Sequence, residues 1–252
     1  MRIPLAPTAL VFAFVAAGLP AQTTTFAQFT QVRPSQNLLV FDNDGKFDRT
    51  IAATLDTANL SSGVDVNFAF SSNLMFSGPL ATLNGPQKAD FTMQSTTDDK
   101  AARGPQGLLL QPIDSGTMEF RLETPVDKKN LLLKVTFSEV SLFTSSSSGL
   151  ELALGKPQGG SKIIYSSDFL DFNTLSPDSW TIALSDIDPC SQIGCDGALN
   201  DFYASGSGVF RGMATPIPEP TIYGMIVASI SFAAVLLRRR WTKFFSGWKF
   251  AR

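Results

Sequence analysis

The chain contains no histidine. Imidazole is the commonest general base and the commonest metal ligand, so both roles lose their usual carrier. Serine–histidine and cysteine–histidine nucleophile pairs cannot be assembled from this chain. Cysteine is almost as scarce, with Cys190 and Cys195 the only two. Only 17% of residues are charged. No glycine-rich cofactor loop and no fixed-period repeat is found, so no cofactor is expected and the chain does not read as a solenoid.

What charge there is lies unevenly. Residues 28–217 hold 21 acidic and 13 basic side chains, whereas Arg238, Arg239, Arg240, Lys243, Lys249 and Arg252 close the chain without an acid among them. The net charge of −2 therefore joins an acidic body to a basic tail. An acidic body repels phosphates, which argues against nucleic acid as a partner. A basic tail beside an apolar run argues for a membrane.

Both ends are apolar. Arg2 precedes the uncharged run Ala9–Leu19, and small and polar residues follow Pro20. That is the layout of a secretory signal peptide over residues 1–27, with cleavage after Ala21 or after Ala27. The run is too short for a comfortable membrane-spanning helix. At the other end, residues 221–237 carry no charge and would span about 25 Å as a helix, the lower limit for crossing a bilayer. Arg238, Arg239 and Arg240 follow at once and act as a stop-transfer signal that keeps this end in the cytoplasm. Aromatic residues interleave with bases in the 238–252 tail (Phe244, Phe245, Trp248, Phe250), a pattern suited to a membrane interface. The signal and the arginines agree on one orientation, with an exported body and a single C-terminal membrane helix.

The residues just before that apolar run are Pro218, Glu219 and Pro220, in an extended linker over 213–220. Pro-Glu-Pro, an uncharged 17-residue run and three arginines, opposite a signal peptide, closely resemble the PEP-CTERM sorting signal of Gram-negative bacteria. The resemblance covers about a tenth of the chain. It implies that Pro218, Glu219 and Pro220 are the motif read by an exosortase, a membrane-embedded cysteine peptidase. It also implies that the body is first held in the inner membrane and then passed to the cell surface or released.

The body, residues 28–212, reads as mainly β. Val64, Val66, Phe68 and Phe70 alternate with Asp65, Asn67 and Ala69. The same period of two recurs at Met118/Phe120/Leu122, Leu131/Leu133/Val135/Phe137, Leu150/Leu152/Leu154 and Trp180/Ile182/Leu184. Turn signals separate these runs at Asp44-Gly45, Asn84-Gly85-Pro86, Gly104-Pro105, Gly159-Gly160 and Gly206, and Thr144–Gly149 is a serine-rich loop. The pattern predicts an antiparallel β-sandwich or jelly-roll-like domain of about 185 residues, its phenylalanines filling the space between two sheets.

In an exported protein Cys190 and Cys195 are expected to form a disulfide, closing a short loop for about 2 kcal/mol. The stretch Asp42-Asn43-Asp44-Gly45 fails a calcium-loop template. With Gly45 as the turn glycine, the first and twelfth ligand positions fall on Val40 and Ile51, so a polar hairpin turn fits better. Asp186, Asp188, Asp196 and Asp201 are read as a solvated acidic loop, with calcium the minor alternative, and no metal is expected. Lys128 and Lys129 read as a solvated turn.

Three functions follow. The leading one is a non-enzymatic surface or matrix protein, structural or adhesive, whose partners are the export machinery, an exosortase, the membrane and extracellular polysaccharide. The second is a carbohydrate-binding module with Trp180, Tyr165 and Tyr203 as candidates, although Trp180 alternates as a core residue and is expected inside. The third is a polysaccharide hydrolase, which would need two carboxyl groups about 5–10 Å apart in a cleft.

Overall fold

The computed structural model describes residues 24–33, 36–43, 53–59, 61–103, 109–144, 152–155, 162–173, 178–188, 198–217 and 231–232. Within these the protein is mainly antiparallel β. The strands are β1 (Thr24–Gln31), β2 (Leu39–Asn43), β3 (Ala53–Thr57), β4 (Val64–Phe70), β5 (Gln87–Thr96), β6 (Ala102–Arg103) and β7 (Leu109–Val126). They continue with β8 (Lys129–Thr144), β9 (Leu152–Gly155), β10 (Lys162–Ser166), β11 (Leu170–Phe172), β12 (Ser179–Asp188), β13 (Phe202–Gly212) and β14 (Ala214–Pro216). A short 3-10 helix over Gly78–Asn84 joins β4 to β5. The side chain of Asn84 fastens it, accepting from the Phe76 N–H at 2.8 Å and donating to the Phe76 carbonyl at 2.9 Å.

The alternating runs become strands because each buries one face. In β4 the residues Val64, Val66, Phe68 and Phe70 are buried while Asp65 and Asn67 meet water. Met118, Phe120 and Leu122 are buried on β7, as are Trp180, Ile182 and Leu184 on β12. The run on β8 differs from the alternation. Phe120 pairs with Leu133 but Arg121 pairs with Leu131, so Leu132 is an extra residue in a β-bulge. The bulge turns Leu132 inward beside Leu133 and leaves Leu131 only half-buried.

The sheet closes on itself. β1 pairs with β4 on one edge and with β13 on the other, so the order β1-β4-β5-β7-β8-β9-β12-β13 returns to β1. Closure removes the exposed edges that these eight strands would otherwise present. β2 continues from β13 alongside β1, and β3 follows β2. Phenylalanines fill the interior. The Phe120 ring lies 4.9 Å from those of Phe29 and Phe91, 5.1 Å from Phe68 and 5.5 Å from Phe210. Contacts of this kind are worth about 0.5–1.5 kcal/mol each beyond burial itself.

Several boundaries differ from the sequence reading. β1 straddles the signal–body boundary at residue 28, because Phe26 and Ala27 are buried with Phe29 in one strand. β14 lies inside the stretch read as a linker, where it pairs with β11, and Ile217 then donates its N–H to the Phe169 carbonyl at 2.9 Å. Gly206 is no turn; it sits within β13 opposite Leu184, where a Cβ would come within 2.9 Å of the Ala183 carbonyl oxygen. Asp42 and Asn43 belong to β2, paired with Thr54 and Ala53, so any turn between β2 and β3 begins after them. Lys128 does occupy a tight turn, but Lys129 opens β8 and its ammonium donates to the Asp168 carbonyl at 3.1 Å.

Among the described residues no helix is long and apolar enough to cross a membrane. Of residues 221–237, only Ser231 and Phe232 are described; both are helical and exposed. The signal segment up to Thr23 lies outside the described residues.

Candidate functional site

A hollow lined by hydroxyl-bearing residues runs along the junction of β3 and β5. These strands meet through side chains more than through a backbone ladder. The Ser95 hydroxyl donates to the Leu55 carbonyl at 2.8 Å and accepts from the Leu55 N–H at 3.2 Å. The Thr57 hydroxyl makes the same pair of bonds with the Met93 backbone, each at 3.4 Å. Asp56 accepts the Ser95 N–H at 2.9 Å, which fixes its carboxylate on the bank of the groove. One backbone bridge, Ala53 with Thr97, ends the seam.

The groove beside this seam has a volume of about 540 Å³. Thr54 and Asp56 come from β3, Gln94 and Thr96 from β5, Thr117 from β7 and Thr136 from β8. They gather because outward-facing positions on neighbouring strands fall in register, with Gln94 opposite Thr117 and Thr117 opposite Thr136. Gly116 and Phe137 form the floor. A Cβ at Gly116 would lie 2.7 Å from both the Gln94 carbonyl oxygen and the Ser95 Cβ, so only glycine fits. The result is a set of hydroxyls, one carboxamide and one fixed carboxylate over an aromatic floor. Such a lining offers donors and acceptors to a polyhydroxylated ligand. It holds a single carboxyl group, whereas carboxylate-based glycoside hydrolysis uses two.

The Asp98, Asp99 and Asp114 carboxylates lie within 4.8 Å of one another, outside this groove. Asp114 accepts the Asp98 N–H at 2.9 Å, and Asp98 and Asp99 are exposed. The sequence placed its acidic cluster elsewhere. Asp201 of that cluster accepts the Asn43 N–H at 3.0 Å. The side chains of Asp186, Asp188 and Asp196 lie outside the described residues.

Two of the three aromatic residues read as sugar platforms are interior. Trp180 is 1% exposed and packs against Phe137 at 5.1 Å, its indole N–H without a hydrogen-bond partner among the described residues. Tyr165 is buried among Phe26, Phe172 and Phe210 and donates to the Ser179 carbonyl at 2.7 Å. Burial, and then the charge of Asp178, push its phenol well above the ordinary range. Tyr203 is the one of the three that meets solvent, at 45% exposure.

On the outer face of the same sheet Glu119 takes an ion pair from Lys134 at 2.8 Å and another from Arg121 at 2.8 Å. Burial works to raise its pKa, but the hydrogen bonds from Lys134 and Arg121 prevail and hold the carboxyl below its ordinary value. The sorting motif Pro218, Glu219, Pro220, the stop-transfer residues Arg238, Arg239, Arg240, and both Cys190 and Cys195 lie outside the described residues.

No family model, curated protein or solved structure matches the chain.

Proposed function

We propose that this is an exported protein with a non-enzymatic structural or adhesive role, carried to the cell surface or extracellular matrix by a PEP-CTERM-type tail. On this reading the body is a closed, jelly-roll-like sandwich. Residues 221–237 hold it in the inner membrane, and an exosortase reads Pro218, Glu219 and Pro220. The observation that supports the proposal is the order Pro218-Glu219-Pro220, an uncharged run over 221–237 and Arg238-Arg239-Arg240. Every described strand, β14 included, lies before Pro218, so a cut at the motif leaves those strands whole.

The test is the intact mass of the protein from a Gram-negative host with and without an exosortase. A mature species ending between Pro218 and Thr221 only when the enzyme is present is the expected result. A species retaining Arg252 in both strains would make this a single-pass membrane protein and the motif a helix-start linker.

A second reading, a carbohydrate-binding module, is favoured by the groove over Gly116 and Phe137. Its hydroxyl lining suits a neutral polysaccharide better than the buried Trp180 and Tyr165 do. A glycan array with the intact body and with Asp56→Ala and Thr117→Val variants tests it. Binding that the two substitutions weaken supports the groove, and no binding to any glycan removes it.

A further inference from the structure

We propose that the export signal is cut on the N-terminal side of Thr24, after Ala21, and that Phe26 and Ala27 belong to the mature protein. This rests on the export reading above and settles which of the two small-residue sites is used.

The argument is the place of β1 in the ring. It is hydrogen-bonded along both edges, with Ala27 opposite Phe70 on one side and Phe210 on the other. A cut after Ala27 removes the pairings of Thr24 with Gly212 and Thr25 with Arg211. It also removes the Phe26 carbonyl that accepts the Ser71 N–H at 2.8 Å. Phe26 itself is 2% exposed, and its ring lies 5.0 Å from Tyr165 and 5.3 Å from Phe172. Those rings come from β10 and β11, so loss of Phe26 empties the joint between the ring of strands and the pair β11–β14. The new terminus would be Gln28, which pairs with Ala69 on one side and Val209 on the other. That would start the strand in the middle of both ladders, with the paired residues Thr24 and Thr25 gone. A cut after Ala21 avoids all of this. It leaves β1 whole, with Gln22 and Thr23 preceding it in the sequence.

The experiment is N-terminal sequencing and intact mass of the full chain exported by a Gram-negative host, with Ala21→Leu and Phe26→Ala variants alongside. The expected mature species begins at Gln22. Ala21→Leu accumulates as precursor, because a large residue at the cut blocks processing. Phe26→Ala is processed at the same bond and melts lower. A periplasmic product beginning at Gln28 overturns the position of the cut and leaves export standing. So does normal processing of Ala21→Leu, and unchanged melting of Phe26→Ala removes the packing argument. A chain that keeps Met1 and stays in the cytoplasm overturns export itself, and the cut with it.

Discussion

Phe29 of β1 lies directly opposite Gly208 of β13, and its ring occupies the space that a side chain at 208 would need. Phe137 stands in the same relation to Gly116, across β8 and β7. An aromatic ring folded over a cross-strand glycine covers the backbone that the glycine leaves bare. It also lets a large side chain sit close to the sheet. Gly208→Ala should therefore force Phe29 away from Phe91 and Phe120, at a cost of about 1–3 kcal/mol. The urea midpoint measures this; a midpoint equal to the parent's would show that the ring does not depend on the missing Cβ.

The β7–β8 turn is strained by its residues. Asp127 has φ 50° and Lys128 φ 64°, the left-handed pair of a type I′ turn, which favours Asn-Gly. Replacing both, as Asp127→Asn with Lys128→Gly, should stabilise the protein by about 1 kcal/mol, mainly by relieving the left-handed cost at the lysine. Thermal melting decides it, and an unchanged or lower Tm would count against this turn type.

Asp168 fastens the start of β8. Its Oδ2 accepts the N–H groups of Asn130 at 3.1 Å and Leu131 at 2.9 Å, while its own N–H donates to the Leu131 carbonyl at 3.0 Å. Asp168→Ala should cost about 2 kcal/mol by leaving two donors without their charged acceptor. Asp168→Asn, which keeps an acceptor oxygen, should cost less. Equal urea midpoints for the two variants would show that the acceptor is not what matters.

Asp178 gives stability a pH dependence. Burial raises its pKa from 3.8 to about 6. The folded protein thus holds this proton more tightly than the unfolded chain. Its favourable contribution is full below pH 3.8 and is lost as pH rises through about 6. Asp178→Asn should accordingly stabilise the protein at neutral pH and have no effect at pH values below that window. The gain should be on the order of 1 kcal/mol, after allowance for screening by water. Melting curves of parent and variant across this range test the sign; a variant less stable at neutral pH would overturn it.

The strands were readable where each buries one face and wets the other. Val64–Phe70 and Trp180–Leu184 carry their own periodicity, and local sequence suffices for them. What was not readable depends on partners far along the chain. Thr24 finds Gly212 nearly the whole body away, so nothing near Phe26 distinguished a central strand from the end of a signal. Asn43 looked like a turn residue and is instead buried, its side chain donating to the Leu199 carbonyl at 3.1 Å. Gly206 looked like a turn because its packing against Ala183 and Leu38 leaves no trace in its neighbours. The groove eluded the sequence for the same reason. Its threonines are ordinary outward residues on each strand, and only the registers of four strands bring them together. Asp98, Asp99 and Asp114 meet only because β5 ends alongside Ser115 of β7.

The meeting of Thr24 with Gly212, five residues before Ile217, has a mechanical meaning. β1 and β13 are antiparallel, so a pull between the two ends of the body opens their rungs one after another, like a zipper, toward Thr30 and Ser207. A pull between the tail and a grip on the far end of β12, where Asp188 pairs with Tyr203, instead loads the rungs between β12 and β13 together in shear. The body is thus weak when tugged by its own two ends and strong when it is tethered at one end and held at the other.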